Sequence, residues 1–176
     1  MAETVSDASR GGDGADNAPT LPRGVRLGVD VGKARVGLAQ ADPDGLLATP
    51  VRTLRRDPKK NSDQRLLVEH ALSVGAVTVY VGLPRNLSGG HTPSTQDALD
   101  YSGDLAEALA AAGSEAQVRM IDERLSTVSA QRQLHENGLN VKNSRSVIDQ
   151  AAAVAILQQA LDMQKSLGRP AGQPLA

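Results

Sequence analysis

The sequence contains no cysteine, phenylalanine or tryptophan, and its only aromatic residues are Tyr80 and Tyr101. Without cysteine, neither a disulfide framework nor a thiolate metal site is possible, which fits a reducing compartment. Without Phe or Trp, the core must be built from Leu, Val, Ile and Ala. Stacking of bases on aromatic platforms is then nearly unavailable, so any nucleic-acid binding would work through phosphates and helix shape. No apolar run approaches the roughly 18 residues that span a bilayer. The N-terminus lacks the basic and apolar regions of a signal peptide. These absences predict a cytoplasmic protein with no membrane contact. At 176 residues the chain suits one ordinary domain.

The formal net charge of −1 hides a split. Residues 1–22 carry Glu3, Asp7, Asp13 and Asp16 against Arg10, a net of −3, so residues 23–176 carry +2. Within the latter, Arg52, Arg55, Arg56, Lys59, Lys60 and Arg65 are offset only by Asp57 and Asp63. Such a cluster is either a solvated loop or a surface suited to a polyanion's backbone.

Residues 1–22, rich in Gly, Ala, Asp and Ser, are expected to form a disordered tail. The folded domain is expected over 23–165 and a flexible C-terminal tail over 166–176. Strand patterns cover about 24–31, 35–41 and 46–54, with Asp42-Pro43-Asp44-Gly45 as a turn and Pro50 favouring an edge strand. Helical period follows over 59–74, with Leu66, Leu67, His70, Ala71 and Val74 as its stripe, ended by Gly75. His70 reads as a packing histidine. The continuous apolar run 76–81 predicts a strand covered on both faces. A Gly-rich loop, 82–91, precedes a helix capped by Thr92 or Ser94 and closed near Gly113. A strand over 116–121 then ends in Asp122-Glu123-Arg124. Helices over about 126–137 and 147–163 complete the order β-β-β-α-β-α-β-α-α, a mixed sheet flanked by helices.

Acidic residues fall where such a sheet gathers its strand ends. Asp30 leaves the first strand before a Gly32 turn. Asp122 and Glu123 end the last strand, and because side chains alternate, only one of them can share Asp30's face. Asp149 heads the stripe Asp149, Ala153, Ile156, Ala160 of the final helix. Each has a plain alternative: Asp30 as a hairpin-turn residue, and Ser146-x-x-Asp149 as a helix N-terminal box. Two like charges about 4 Å apart repel by about 4 kcal/mol at an effective dielectric near 20. Gathered carboxylates would therefore need cations or protons. All-oxygen ligands suit Mg²⁺, for which Mn²⁺ can substitute, and two such ions can hydrolyse a phosphodiester.

Val29-Asp30-Val31-Gly32-Lys33-Ala34-Arg35-Val36-Gly37, Val81-Gly82-Leu83-Pro84, Asp122-Glu123-Arg124-Leu125-Ser126-Thr127 and the stretch from Asp149 to Gln158 together resemble the YqgF (RuvX-type) family, in family order from about Gly24 to Asp162. The resemblance implies a ribonuclease-H-like α/β fold, a mixed five-stranded sheet related to RuvC resolvases. It implies a metal-dependent endonuclease that processes the 5′ end of pre-16S rRNA, with Holliday junction resolution on branched DNA as the alternative. By position, Asp30, Glu123 and Asp149 become the catalytic and metal-ligating acids, with Asp122 as neighbour. Lys33, Arg85, Asn86 and Arg124 become candidate nucleic-acid contacts. Ser88 stands where the family often carries an acid.

Two other readings use the same residues. Asp30-x-Gly32-x-x-x-x-Gly37 also opens the phosphate-binding hairpin of actin- and hexokinase-like ATPases, which need two such domains. A non-catalytic nucleic-acid-binding factor on an old nuclease scaffold is the third. The partner is nucleic acid in the first and last, and the state is monomer or homodimer, since a symmetric junction favours a two-fold dimer.

Overall fold

The computed structural model describes residues 21–125 and 144–175. The helix expected over 126–137, and all but the last two residues of the expected N-terminal tail, lie outside the described residues. A sheet of six strands runs β3-β2-β1-β4-β5-β6, with β1 Arg26–Val31, β2 Arg35–Ala41, β3 Ala48–Arg55, β4 Thr78–Leu83, β5 Gln117–Asp122 and β6 Gln173–Pro174. β1, β2 and β3 form the antiparallel meander, while β1, β4 and β5 are parallel. Helices α1 (Ser62–Val74) and α2 (Pro93–Ala111) cover one face, and α3 (Ser144–Leu167) crosses the other over β1 to β4.

The core is aliphatic, as the composition requires. One cluster joins Leu27, Val29, Leu38 and Val81 to Leu67, Leu105 and Leu109 under α1 and α2. The second joins Ala39, Tyr80 and Ile121 to Ala153, Ile156, Leu157 and Ala160 of α3. β4 is buried along its whole length, the consequence of helices on both faces. β3 is the edge strand that Pro50 indicated, with a register shift between Leu38 and Ala39 beside it.

Three expectations are revised. α1 buries Asp63, Gln64, Leu67, Val68 and Ala71, while Leu66 is exposed. The stripe is rotated because Asp63 and Gln64 turn inward: Tyr101 donates its hydroxyl to Asp63 (3.1 Å) and Gln64 donates to the Tyr101 carbonyl (3.4 Å). Hydrophobic period counts apolar residues and therefore misses polar ones that are buried with partners. Secondly, the sheet has six strands, the last of only two residues, too short for any periodicity to reveal. Thirdly, the C-terminal residues, expected to be a flexible tail, pack onto the sheet. α3 continues to Leu167, Arg119 donates to the carbonyls of Ala171 (2.6 Å) and Gly172 (2.9 Å), and Ala171 is fully buried.

Among the described residues no helix is long and apolar enough to cross a membrane.

Candidate active site

Asp30 is the fifth of six residues of β1 and is buried, opposite Gly37 of β2. Strand alternation places it on the same face as Gly28, which lies directly under Leu157 and Ala153 of α3. α3 approaches β2 just as closely: a Cβ at Gly37 would collide with the Asp149 carbonyl oxygen. Two glycines thus let α3 sit down on the sheet, and the one opposite Asp30 fixes the backbone of Asp149.

The Asp149 carboxylate is held by Arg35, whose Nε donates to Oδ2 at 2.8 Å. α3 starts at Ser144, so Asp149 lies in its second turn and the N-terminal-box reading falls. The Ser146 carbonyl accepts instead from the Thr53 hydroxyl at 2.9 Å, tying α3 to β3. Ala153, Ile156 and Ala160 are all fully buried, as the stripe headed by Asp149 predicted.

Asp122 and Glu123 divide as expected, but at the strand's end: β5 stops at Asp122, and the turn that follows sets Glu123. Glu123 opens a 3₁₀ turn after β5 and is buried against Gly82 of β4, where an added Cβ would lie 2.5 Å from its Oε1 and equally close to Ile156 of α3. It therefore shares the α3 face with Asp30, with β4 between them. Burial, then the charge of Asp122, pushes the Glu123 carboxyl up to about 7. Asp122 is half-buried and paired with Arg124 through contacts of 2.6 and 3.1 Å. That hydrogen bonding keeps its carboxyl below the usual range.

A cleft of about 420 Å³ opens beside Asp30 and Asp149, with Lys33, Arg35, Pro84, Ser94 and Asp97 around it. Glu123 does not line it, and among the described residues no three His, Cys, Asp or Glu side chains form a metal-holding group. Two of the three sequence-predicted acids thus share one cleft, and the third lies on the same sheet face below β4's end. The donor set is all oxygen, which is the chemistry of a Mg²⁺ or Mn²⁺ site.

The predicted nucleic-acid contacts fare unequally. Lys33 is exposed on the cleft rim with no partner among the described residues. Arg85 lies near enough to Asp122 to lower its pKa, and its buried Nε has no hydrogen-bond partner among the described residues. Arg124 is engaged by Asp122 and packs under Gly89. Asn86 is occupied within its own loop, its Oδ1 accepting from the Gly90 N–H (2.6 Å) and the Ser88 hydroxyl (2.9 Å).

Sequence reasoning passed over Arg35, Arg56 and Asp97. Arg56, read as part of a basic surface cluster, is mostly buried. Its guanidinium donates to Asp97 (2.6 Å) and to the Gly32 carbonyl (3.2 Å), and it lies 5.2 Å from the Tyr101 ring centre. It braces the β1–β2 turn against α2 from behind the cleft. No local signal separates it from its neighbours Arg52 and Arg55, which are exposed.

The chain matches the RuvX family profile, described as Holliday junction resolvase, over residues 24–163. A relative from Mycobacterium ulcerans, named "Putative pre-16S rRNA nuclease", is 50% identical over 167 residues, covering 95% of each chain. Relatives of the same name from Mycobacteroides abscessus (47% over 152 residues; 86% of this chain, 89% of the relative) and Clavibacter michiganensis subsp. michiganensis (49% over 149 residues; 85% and 89%) are similarly close. T. thermophilus RuvC, solved in complex with a Holliday junction substrate, is similar in fold, with TM-score 0.51 at 16% identity, covering 86% of this chain and 99% of that one.

Proposed function

The chain belongs to the RuvX family, and from that premise we propose that it is a metal-dependent endonuclease acting on phosphodiester bonds at the 5′ end of pre-16S rRNA. The observation that carries the reading is the pairing of Asp30 and Asp149 across one cleft, with Glu123 on the same face. A buried carboxylate, Asp30, beside the half-buried Asp149 on one cleft is costly in a purely structural role and useful as a cation ligand. The names of relatives about 50% identical favour precursor rRNA as the substrate.

In this reading Asp30 and Asp149 would hold divalent cations at the cleft, with Glu123 on the same face of the sheet. When bound, such ions supply an activated water and stabilise the departing oxygen. Lys33 on the rim draws the polyanionic backbone toward the carboxylates. Gly82 leaves room for the Glu123 carboxylate to lie flat against β4. Arg56 keeps the β1–β2 turn, and with it Lys33, in a fixed position.

The family description keeps one second reading in view, resolution of a four-way DNA junction. One assay separates them: a precursor-rRNA fragment and a four-way junction, each with Mg²⁺ or Mn²⁺, incubated with wild type and with Asp30→Asn. Cleavage of the RNA by wild type alone supports the proposal. Cleavage of the junction alone transfers the activity to DNA. Full activity of a contaminant-free Asp30→Asn protein would remove the catalytic role of this acid.

A further inference from the structure

Arg35 is the cleft residue whose contacts are least explained by folding. It opens β2, where its backbone carbonyl closes the turn by accepting from Gly32 N–H at 2.8 Å. Its side chain is about one-third exposed, and its only hydrogen bond among the described residues runs from Nε to Asp149. A guanidinium carries five N–H donors in a rigid fork, so among the described residues that single bond leaves the two Nη groups unspent. They belong to a residue that lines the same cleft as Asp30 and Lys33. Asp149 is itself anchored, because its carbonyl rests on Gly37 two residues further along β2. The Nε bond therefore orients the fork from a fixed point. A purely structural Arg–carboxylate pair would gain most from the two-pronged contact that Arg124 makes with Asp122. Arg35 does not make one.

The geometry points to Arg35 as a phosphate-contacting residue: Asp149 holds its Nε, and the Nη donors take a phosphate of the nucleic-acid backbone that enters the cleft. This rests on the nuclease reading for the ligand's class. It makes Asp149 serve twice, as a carboxylate of the site and as the group that aims the clamp. It also places two cations, Lys33 and Arg35, on the cleft rim, where they offset the acids that a polyanion would otherwise meet.

The test is binding rather than cleavage, so that it stands even if the substrate assignment fails. A labelled precursor-rRNA fragment is titrated with wild type, Arg35→Gln, Arg35→Lys and Lys59→Gln at several salt concentrations, without divalent metal. Far-UV circular dichroism verifies each fold. Arg35→Gln is expected to weaken binding about tenfold, with a salt slope shallower by about 0.7, the value of one lost phosphate contact on a single strand. Arg35→Lys should restore the slope, which counts charge, but not the full affinity, which needs the fork. Lys59→Gln should lower affinity less than Arg35→Gln. Arg35→Gln with wild-type affinity and slope overturns the inference, as does a lowered melting temperature with the slope unchanged. If Arg35→Gln misfolds, the Arg35→Lys comparison decides: full affinity with lysine refutes a clamp. Loss of RNA binding by wild type itself would instead count against the rRNA reading, and the same series on the four-way junction then tests Arg35 independently.

Discussion

Gly28→Ala tests whether α3, and Asp149 with it, is positioned by direct contact with β1. The new Cβ would lie 2.6 Å from Leu157 Cβ and 2.7 Å from the Ala153 carbonyl oxygen. Carbon atoms pack comfortably at about 3.5–4.0 Å. Neither neighbour is a flexible tip, since one is helix backbone and the other the first carbon of a fully buried side chain. Relief therefore requires α3 to rise from the sheet by about 1 Å. Overpacking of this kind costs about 1–3 kcal/mol. For a chain of this size each kcal/mol lowers the melting temperature by about 2–4 °C, so the expected fall is about 2–12 °C. The same displacement moves Asp149 relative to Asp30, and about 1 Å of misplacement in a catalytic constellation costs up to about 100-fold in rate. Thermal unfolding followed by circular dichroism, together with kcat/KM on the precursor fragment, measures both effects. A Gly28→Ala protein that melts and cleaves like wild type would show that α3 is not seated on this glycine and that Asp149 is not positioned through it.

Gly103→Ala provides the opposite case. Its added methyl meets nothing within 4 Å inside α2, so helix propensity alone should raise stability by about 0.5–1 kcal/mol, read as a higher urea midpoint. Arg56→Gln should destabilise by about 1.5–3 kcal/mol, toward the lower end because Asp97 is about one-third exposed. It should also speed amide exchange in the β1–β2 turn, and unchanged exchange would deny the bracing role. Both tyrosines are buried and burial raises both pKa values, with Asp63 adding to the effect at Tyr101. Because each folded pKa lies above the unfolded value, their contribution to stability is complete below about pH 10 and is lost as pH climbs beyond it. Absorbance near 295 nm should show no tyrosinate until circular dichroism reports unfolding, and tyrosinate in an intact fold would contradict their burial.

How much of this was legible in the sequence depends on the kind of interaction. β2 lies where turn chemistry and alternation placed it, at Arg35–Ala41, and Thr92 caps α2 through a reciprocal bond with Thr95. Asp30 and Asp149 were visible because a charge interrupting an apolar pattern stands out locally. Arg35 was not, since an arginine at the start of a strand, just after a turn, looks like any other. Its partner lies 114 residues away, and only the seating of α3 brings them together. Arg124 and Asn86, read from the sequence as candidate contacts, are engaged by near neighbours in the chain, which residue type alone does not reveal.

The sequence by itself determined the order of the first five strands and of α1, α2 and α3, the aliphatic core and the set of acids from which a site can be built, because those depend on period, propensity and residue chemistry. The tertiary structure decided which acids meet in one cleft, which is pushed to about 7, and which cations face them. Those outcomes depend on the close approach of α3 at Gly28 and Gly37 and on burial beside Gly82. Close approach is a property of two surfaces at once, and no single stretch of chain contains both.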